Sequence, residues 1–240
     1  MPKLNEKAIV KPEPWKGFGR KDVVYFPFDS PSRIIQKTLK KSSLKEIDIG
    51  FLGRLYLLKN KAALYHSMSA PLAVLCLESL IASGAKRILL LGFCGSLHPS
   101  YKILDAVSIS RALSEEGTSR HYLPQQRFFH PSPTLKNGIG DILRQASLPF
   151  LRGSVVSTDA PYRETESWLK KMQKRKIGLV DMETSAVLAL AKFRRIEAAA
   201  LLVVSDELWD KTWKKAFSLP ELEERIKKYF LPFINKTWAE

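Results

Sequence analysis

The chain has 240 residues, 45% of them hydrophobic and 26% charged: enough apolar material for a full core, with no run near the roughly 18 residues a membrane span needs. Lys and Arg outnumber Asp and Glu 39 to 24, a net charge of +15, yet the cations are dispersed. The densest run, "KKMQKRK" at 170–176, fits the solvated face of a helix, and no aromatic-plus-basic motif accompanies the charge, so a nucleic-acid partner is not expected.

Cys76 and Cys94 fall in segments that read as core, which suits a reducing compartment better than a disulfide framework, and metal-ligand spacing is absent. The first residues, "MPKLNEKAIVKPEPWKG", contain neither an apolar stretch nor a small-residue cleavage site. The expectation is a cytoplasmic protein with a single domain over residues 1–240, no metal, no cofactor and no membrane contact.

"DVVYFPF" (22–28) predicts a strand, followed by a helix over "RIIQKTLKK" with Ser32 as its cap. Residues 48–67 predict a hairpin turning at "KNK". "APLAVLCLESLIASG" predicts an apolar-faced helix closed by Gly84. "RILLLGFCGS" (87–96) is an unbroken apolar run ending in glycine, as a parallel strand buried on both faces requires. The period-two stretch "DAVSISRAL" follows. Residues 114–135, polar and proline-containing, predict a long loop, the kind of loop that often carries function. A helix (136–146), the strand "RGSVVSTDA", the basic helix "ETESWLKKMQKRK", the strand "GLVDME", the helix "TSAVLALAKFRR", the strand "AAALLVVSD" and a helical tail from Lys211 complete the chain.

Strands alternating with helices predict an α/β fold of three layers, a central, mostly parallel mixed sheet flanked by helices, with ligands at the carboxyl ends of the strands. Three strand ends carry unexpected polarity: "GFCGS", "VDMET" and "VVSDEL". Taken singly, Glu183 and Asp206 also fit the first turn of a helix, where a carboxylate gains a few tenths of a kcal/mol from the helix dipole.

Taken together, "LLGFCGSL" (90–97), "VSTDAPY" (156–162), "LVDMETSAVLALA" (179–191) and "LLVVSDEL" (201–208) resemble the nucleoside phosphorylase superfamily, the purine and uridine phosphorylases and related nucleosidases. The resemblance runs from "VVYFPFDSPSR" to the C-terminal helix. It implies that Met182 and Met68 pack on a ribose and that Glu183 binds its hydroxyls, orienting the sugar and stabilising the positive charge that grows on it as an N-glycosidic bond breaks. It implies that Tyr162, Val180 and Asp206 line a base, with Asp206 donating a proton or hydrogen bond to N7 of a departing purine. Asp181 alternates away from Met182 and reads as structural.

For phosphate, the resemblance points to Arg33 in "PFDSPSR" and to Gly92 and Phe93 after the central strand, yet the family's Arg-x-Gly-Ser/Thr becomes Leu90, Leu91, Gly92, Phe93, losing an arginine and a hydroxyl. "YHSMSAP" (65–71) resembles the family's Gly-His-Gly-Met-Gly turn with glycines replaced, placing His66 and Met68 at the site. The expected function is cleavage of a purine nucleoside, with phosphate as a possible co-substrate. Hydrolysis and binding without turnover are the alternatives. A homo-oligomer, dimer or hexamer, is expected by the same resemblance.

Overall fold

The structure is a computed structural model that describes residues 8–15, 18, 19, 21–29 and 33–235. Its first half holds β1 (Asp22–Phe26), α1 (Ile34–Ser42), β2 (Lys45–Asp48), β3 (Arg54–Leu57), β4 (Lys61–Tyr65), α2 (Ala70–Ala82), β5 (Arg87–Ser96) and β6 (Ala106–Ser114). Then come α3 (Ser119–Tyr122), β7 (Phe128–Phe129), α4 (Pro133–Gln145), β8 (Leu151–Ser157), α5 (Glu166–Lys174) and β9 (Leu179–Asp181). The chain closes with α6 (Thr184–Arg194), β10 (Glu197–Glu207), β11 (Lys214–Lys215) and α7 (Pro220–Asn235).

All eleven strands join one mixed sheet. Parallel pairings join β5 to β1 and β10, β1 to β4, and β8 to β6 and β9, while the other pairings are antiparallel. Because β10 pairs with both β5 and β6, the strands β5, β10, β6, β8 and β9 close into a ring; β1, β4, β3 and β2 extend from β5 as an open wing, while β7 and β11 pair with β6 and β10. Closure removes two free edges and brings the ends of β5, β9 and β10 to one place.

The apolar run of β5 divides by period two, as a strand covered on both faces must. Ile88 and Leu90 join Ala73, Leu77, Val187 and Leu190 on one face of the sheet, while Leu89 and Leu91 join Ile35, Ile139, Phe230 and Phe233 on the other. β10 divides the same way, with Leu202 and Val204 on the first face and Leu201 and Val203 on the second. Helices α2, α3 and α6 thus form one outer layer, and α1, α4 and α7 the other. Residues Thr184 to Ala191 of α6 are all buried, so this helix has no solvent face to pattern. Gly84 closes α2 at φ 108, with Ala85 donating to the Leu80 carbonyl as a Schellman turn requires.

Several boundaries differ from expectation. The loop expected over 114–135 holds α3 and β7. Glu116 accepts from the Thr118 and Ser119 amides and so starts α3 from a side chain, without apolar periodicity. Helix α4 begins at Pro133, whose fixed φ suits a first helical turn. β2 appears before the expected hairpin and pairs with β3. The tail first adds β11 to the end of β10 and turns helical only at Pro220. Ser32, the expected cap of α1, lies outside the described residues. Among the described residues no helix is long and apolar enough to cross a membrane.

Candidate active site

Asp181 ends β9 with its carboxylate buried, accepting from Ser157 Oγ at 2.5 Å, from the Thr184 amide at 3.0 Å and from the Thr184 hydroxyl. These bonds tie β8 and β9 to the start of α6, the structural role that strand alternation predicts for it. Glu183 occupies the N-cap of α6, its carbonyl accepting from the Val187 amide at 3.0 Å. Its buried carboxyl accepts at Oε1 from the Ser69 amide at 2.7 Å.

Burial pushes Glu183 up to about 8, aided by the charge of Asp181 and opposed by the Ser69 and Met182 amides. Burial also raises Asp181, against the bonds from Ser157 and Thr184. Asp181 has three donors and Glu183 fewer, so the proton of the pair resides on Glu183.

The segment that reaches Glu183 is the turn Tyr65–Ser69 between β4 and α2. His66 (φ 69) and Ser69 (φ 87, ψ 149) both adopt the left-handed half of backbone space that favours glycine. The Tyr25 hydroxyl donates to the Ser67 carbonyl, and the Ser67 hydroxyl donates to the Leu52 carbonyl. Pinned in this way, the turn aims the Ser69 N–H at Glu183. Met68 (45% exposed) and half-buried Met182 lie on the two segments that meet there.

Asp206 reaches the site through an irregularity. Val204 pairs with Cys94 and Asp206 with Gly95, leaving Ser205 as the extra residue of a bulge. Ser205 Oγ donates to Asp206 Oδ1 at 2.7 Å and Trp213 Nε1 to Oδ2 at 2.8 Å. Burial raises this carboxyl, against those two bonds. On the other side of Gly95 its sheet partner is Val180. A Cβ on Gly95 would stand 3.1 Å from Asp206 Oδ2 and 3.0 Å from Val180 Cγ1, so the two side chains close over this glycine and only a residue without a side chain fits between them. Cys94, fully buried next door, is pushed up by burial and then by the charges of Asp181 and Asp206, which places both carboxylates around the end of β5.

The residues expected to hold phosphate stand on β5 and at the start of α1. Gly92 is mid-strand, paired with Leu202, because β5 continues to Ser96; its missing side chain leaves room for Pro27 and Leu202. Phe93 packs on Phe28 with ring centroids 4.4 Å apart, and Phe28 in turn meets Tyr65 and Phe230. The Tyr65 hydroxyl donates to Asp29 at 2.6 Å. This aromatic cluster fills the end of β1. Arg33 is exposed at the N-cap of α1, and Tyr162 is 90% exposed on a 3-10 turn over residues 161–163.

Four features were not read from the sequence: the Ser69 amide, the bulge at Ser205, the Trp213 contact to Asp206, and Glu164. Trp213 and Glu164 line a cleft of about 140 Å³ with Leu97, Trp168, Leu169 and Leu208. Two tryptophans and an acid in otherwise polar segments were the available signal. Among the described residues no cluster of three or more His, Cys, Asp or Glu side chains has the arrangement of a metal site.

A ring-closed mixed sheet between helix layers, with two buried acids at its strand ends, is the architecture of a small-molecule enzyme of the phosphorylase type. Residues 49–235 match the phosphorylase superfamily, and the chain belongs to that superfamily. It is similar to guanosine phosphorylase of Halorubrum lacusprofundi, 28% identical over 163 residues, covering 67% of this chain and 66% of the relative. A purine nucleoside phosphorylase of the DeoD type from Brevibacillus brevis is 27% identical over 165 residues, covering 67% and 68%. In both cases the match spans about two-thirds of the relative's length. The fold superposes on purine nucleoside phosphorylase from Toxoplasma gondii in complex with immucillin-H, with a TM-score of 0.77 at 23% identity, covering 95% and 96% of the two chains. It also superposes on AMP nucleosidase from Bacteroides thetaiotaomicron, with a TM-score of 0.73 at 18% identity, covering 90% and 88%.

Proposed function

We propose that the chain is an enzyme that cleaves the N-glycosidic bond of a purine nucleoside and that it uses water as nucleophile in preference to phosphate. The observation that carries this reading is the Phe28–Phe93 contact, an aromatic plug in the position where the family resemblance expects a hydroxyl for phosphate, while both buried acids are kept.

In this reading the ribose lies against Met182 and Met68 with its hydroxyls on Glu183, which is already oriented by the Ser69 amide. The base lies against Val180 and Asp206, the two side chains that meet over Gly95. As the bond from the glycosidic carbon to N9 breaks, its electron pair passes into the purine, and Asp206, its carboxyl pKa raised by burial, gives its proton to N7. The carbon, now carrying positive charge, takes the oxygen of water, whose proton is released. The products are free purine and free ribose. The relatives named as phosphorylases and the structural neighbour named as a nucleosidase support a nucleoside as substrate.

The test is release of free base from adenosine and inosine across a phosphate series, with the sugar product identified. The expected result is free ribose, at a rate nearly independent of phosphate. Ribose 1-phosphate as the product, with release saturating at low phosphate, overturns the preference for water. No release from any purine nucleoside overturns the enzyme reading.

A further inference from the structure

The loop that follows β6 is unused by the chemistry above, yet three consecutive residues in it tie together α5, the end of β8 and α6. Glu115 accepts from Trp168 Nε1 at 2.6 Å and from Lys171 Nζ at 2.9 Å, both on α5. The Gly117 amide donates to Asp159 Oδ2 at 2.7 Å, just beyond β8. Glu116 lies between them and is buried. Its Oε1 accepts from Ser114 Oγ at 2.8 Å and Ser185 Oγ at 2.9 Å, and its Oε2 from the Thr118 amide at 2.5 Å and the Ser119 amide at 3.0 Å. A carboxylate has about four acceptor positions, so these donors fill it.

Ser185 carries this contact into the site. It is the second residue of α6, and its amide donates to Ser157 Oγ at 2.8 Å, which donates in turn to Asp181. Glu116 and Asp181 therefore grip the same first turn of α6 from two directions, and the residue that caps this turn is Glu183. From Ala186 to Ala191 the helix is apolar and buried. Apolar burial is non-directional and leaves the helix free to rotate or slide, whereas the directed bonds at Thr184 and Ser185 fix both motions. We propose that Glu116 is a positioning residue: through Ser185 it fixes the N-cap of α6, and so the direction in which the Glu183 carboxyl meets a ribose. The inference rests on the nucleoside reading above.

Glu116 also starts α3, a local role, and the two roles separate at Ser185. Ser185→Ala removes the bond to α6 and leaves Ser114, Thr118 and Ser119 on the carboxylate. The amide of residue 185 still reaches Ser157. Glu116→Ala removes every bond and strands two hydroxyls and two amides in the interior. Glu116→Gln can turn its carbonyl oxygen to the amides, which only donate, and its NH2 to the hydroxyls, which accept as well as donate, so the tie to Ser185 survives.

The test measures kcat/KM for adenosine or inosine, whichever the wild type cleaves, at fixed phosphate, together with calorimetric binding of the corresponding free base and thermal unfolding. The free base carries no ribose and so does not read Glu183. Misplacing a reacting group by about 1 Å costs up to about a hundredfold, so kcat/KM should fall about ten- to a hundredfold in Ser185→Ala and Glu116→Ala and recover to within about threefold of the wild type in Glu116→Gln. Base affinity should stay within about twofold of the wild type in Ser185→Ala, the variant that decides the matter if Glu116→Ala does not fold. Three results overturn the inference and leave the nucleoside reading standing: kcat/KM within about threefold of the wild type in Ser185→Ala, an equal fall in kcat/KM and base affinity, or Glu116→Gln as impaired as Glu116→Ala. No cleavage of either nucleoside by the folded wild type overturns both.

Discussion

Adding one methyl at Gly95 tests whether Val180 and Asp206, which meet over this glycine, line the base site. The new Cβ would meet Leu208 Cδ1 at 2.9 Å, Val180 Cγ1 at 3.0 Å and Asp206 Oδ2 at 3.1 Å. Leu208 can rotate away, but Val180 is β-branched and stiff, and Asp206 is held by Ser205 and by Trp213. Gly95 has no positive φ, so any loss on Gly95→Ala is steric. Overpacking costs about 1–3 kcal/mol, and displacing Asp206 from one bond adds about 1 kcal/mol. At roughly 2–4 °C per kcal/mol for a chain of this size, the midpoint of unfolding should fall by about 4–16 °C. Adenine affinity should fall at least about tenfold, because the methyl displaces Val180 and Asp206, the side chains against which the base lies. Gly92→Ala is the control: its contacts are looser, 3.2 Å to Leu90 and Pro27, and it should change adenine affinity by less than about twofold. Thermal unfolding by circular dichroism and calorimetric titration read both quantities. Wild-type affinity and melting in Gly95→Ala would refute the placement of the base.

Two further substitutions probe the turn and the acid it orients. Ser69→Gly should raise the midpoint of thermal unfolding, because φ 87 with ψ 149 costs a side-chain-bearing residue about 1–3 kcal/mol while the amide to Glu183 is retained; a lowered midpoint would contradict this. Glu183 has a folded pKa raised above its unfolded value, so its contribution is present below the ordinary carboxylate range and is lost as pH rises through about 8. Glu183→Gln keeps an acceptor for Ser69 and cannot ionise. Its midpoint should therefore gain on the wild type between about pH 5 and pH 9, whereas a constant difference would show that Glu183 is not held protonated.

Much of the architecture is legible in the residues. The apolar runs of β5 and β10 predict strands covered on both faces, and helix periods between them predict the layers. The acids at 181, 183 and 206 stand out because each interrupts such a run. Less legible were α3, β2 and β11, elements of two to four residues whose formation depends on a partner: Glu116 for α3, β3 for β2, the end of β10 for β11. So short a stretch holds no period of its own.

By itself the sequence determined the long strands and helices, which faces they bury, and which strand ends carry ionisable groups, because hydrophobic periodicity and interruptions of it are local properties of the chain. Tertiary structure alone decided what those groups touch. Ser69 meets Glu183 across 114 positions, Ser205 bulges to set Asp206 opposite Gly95, Phe93 finds Phe28 at the end of β1, and Glu164 joins Trp213 in one cleft. Each depends on register and ring closure between distant strands, and a residue's own neighbours in the chain carry no record of where the sheet will bring another strand.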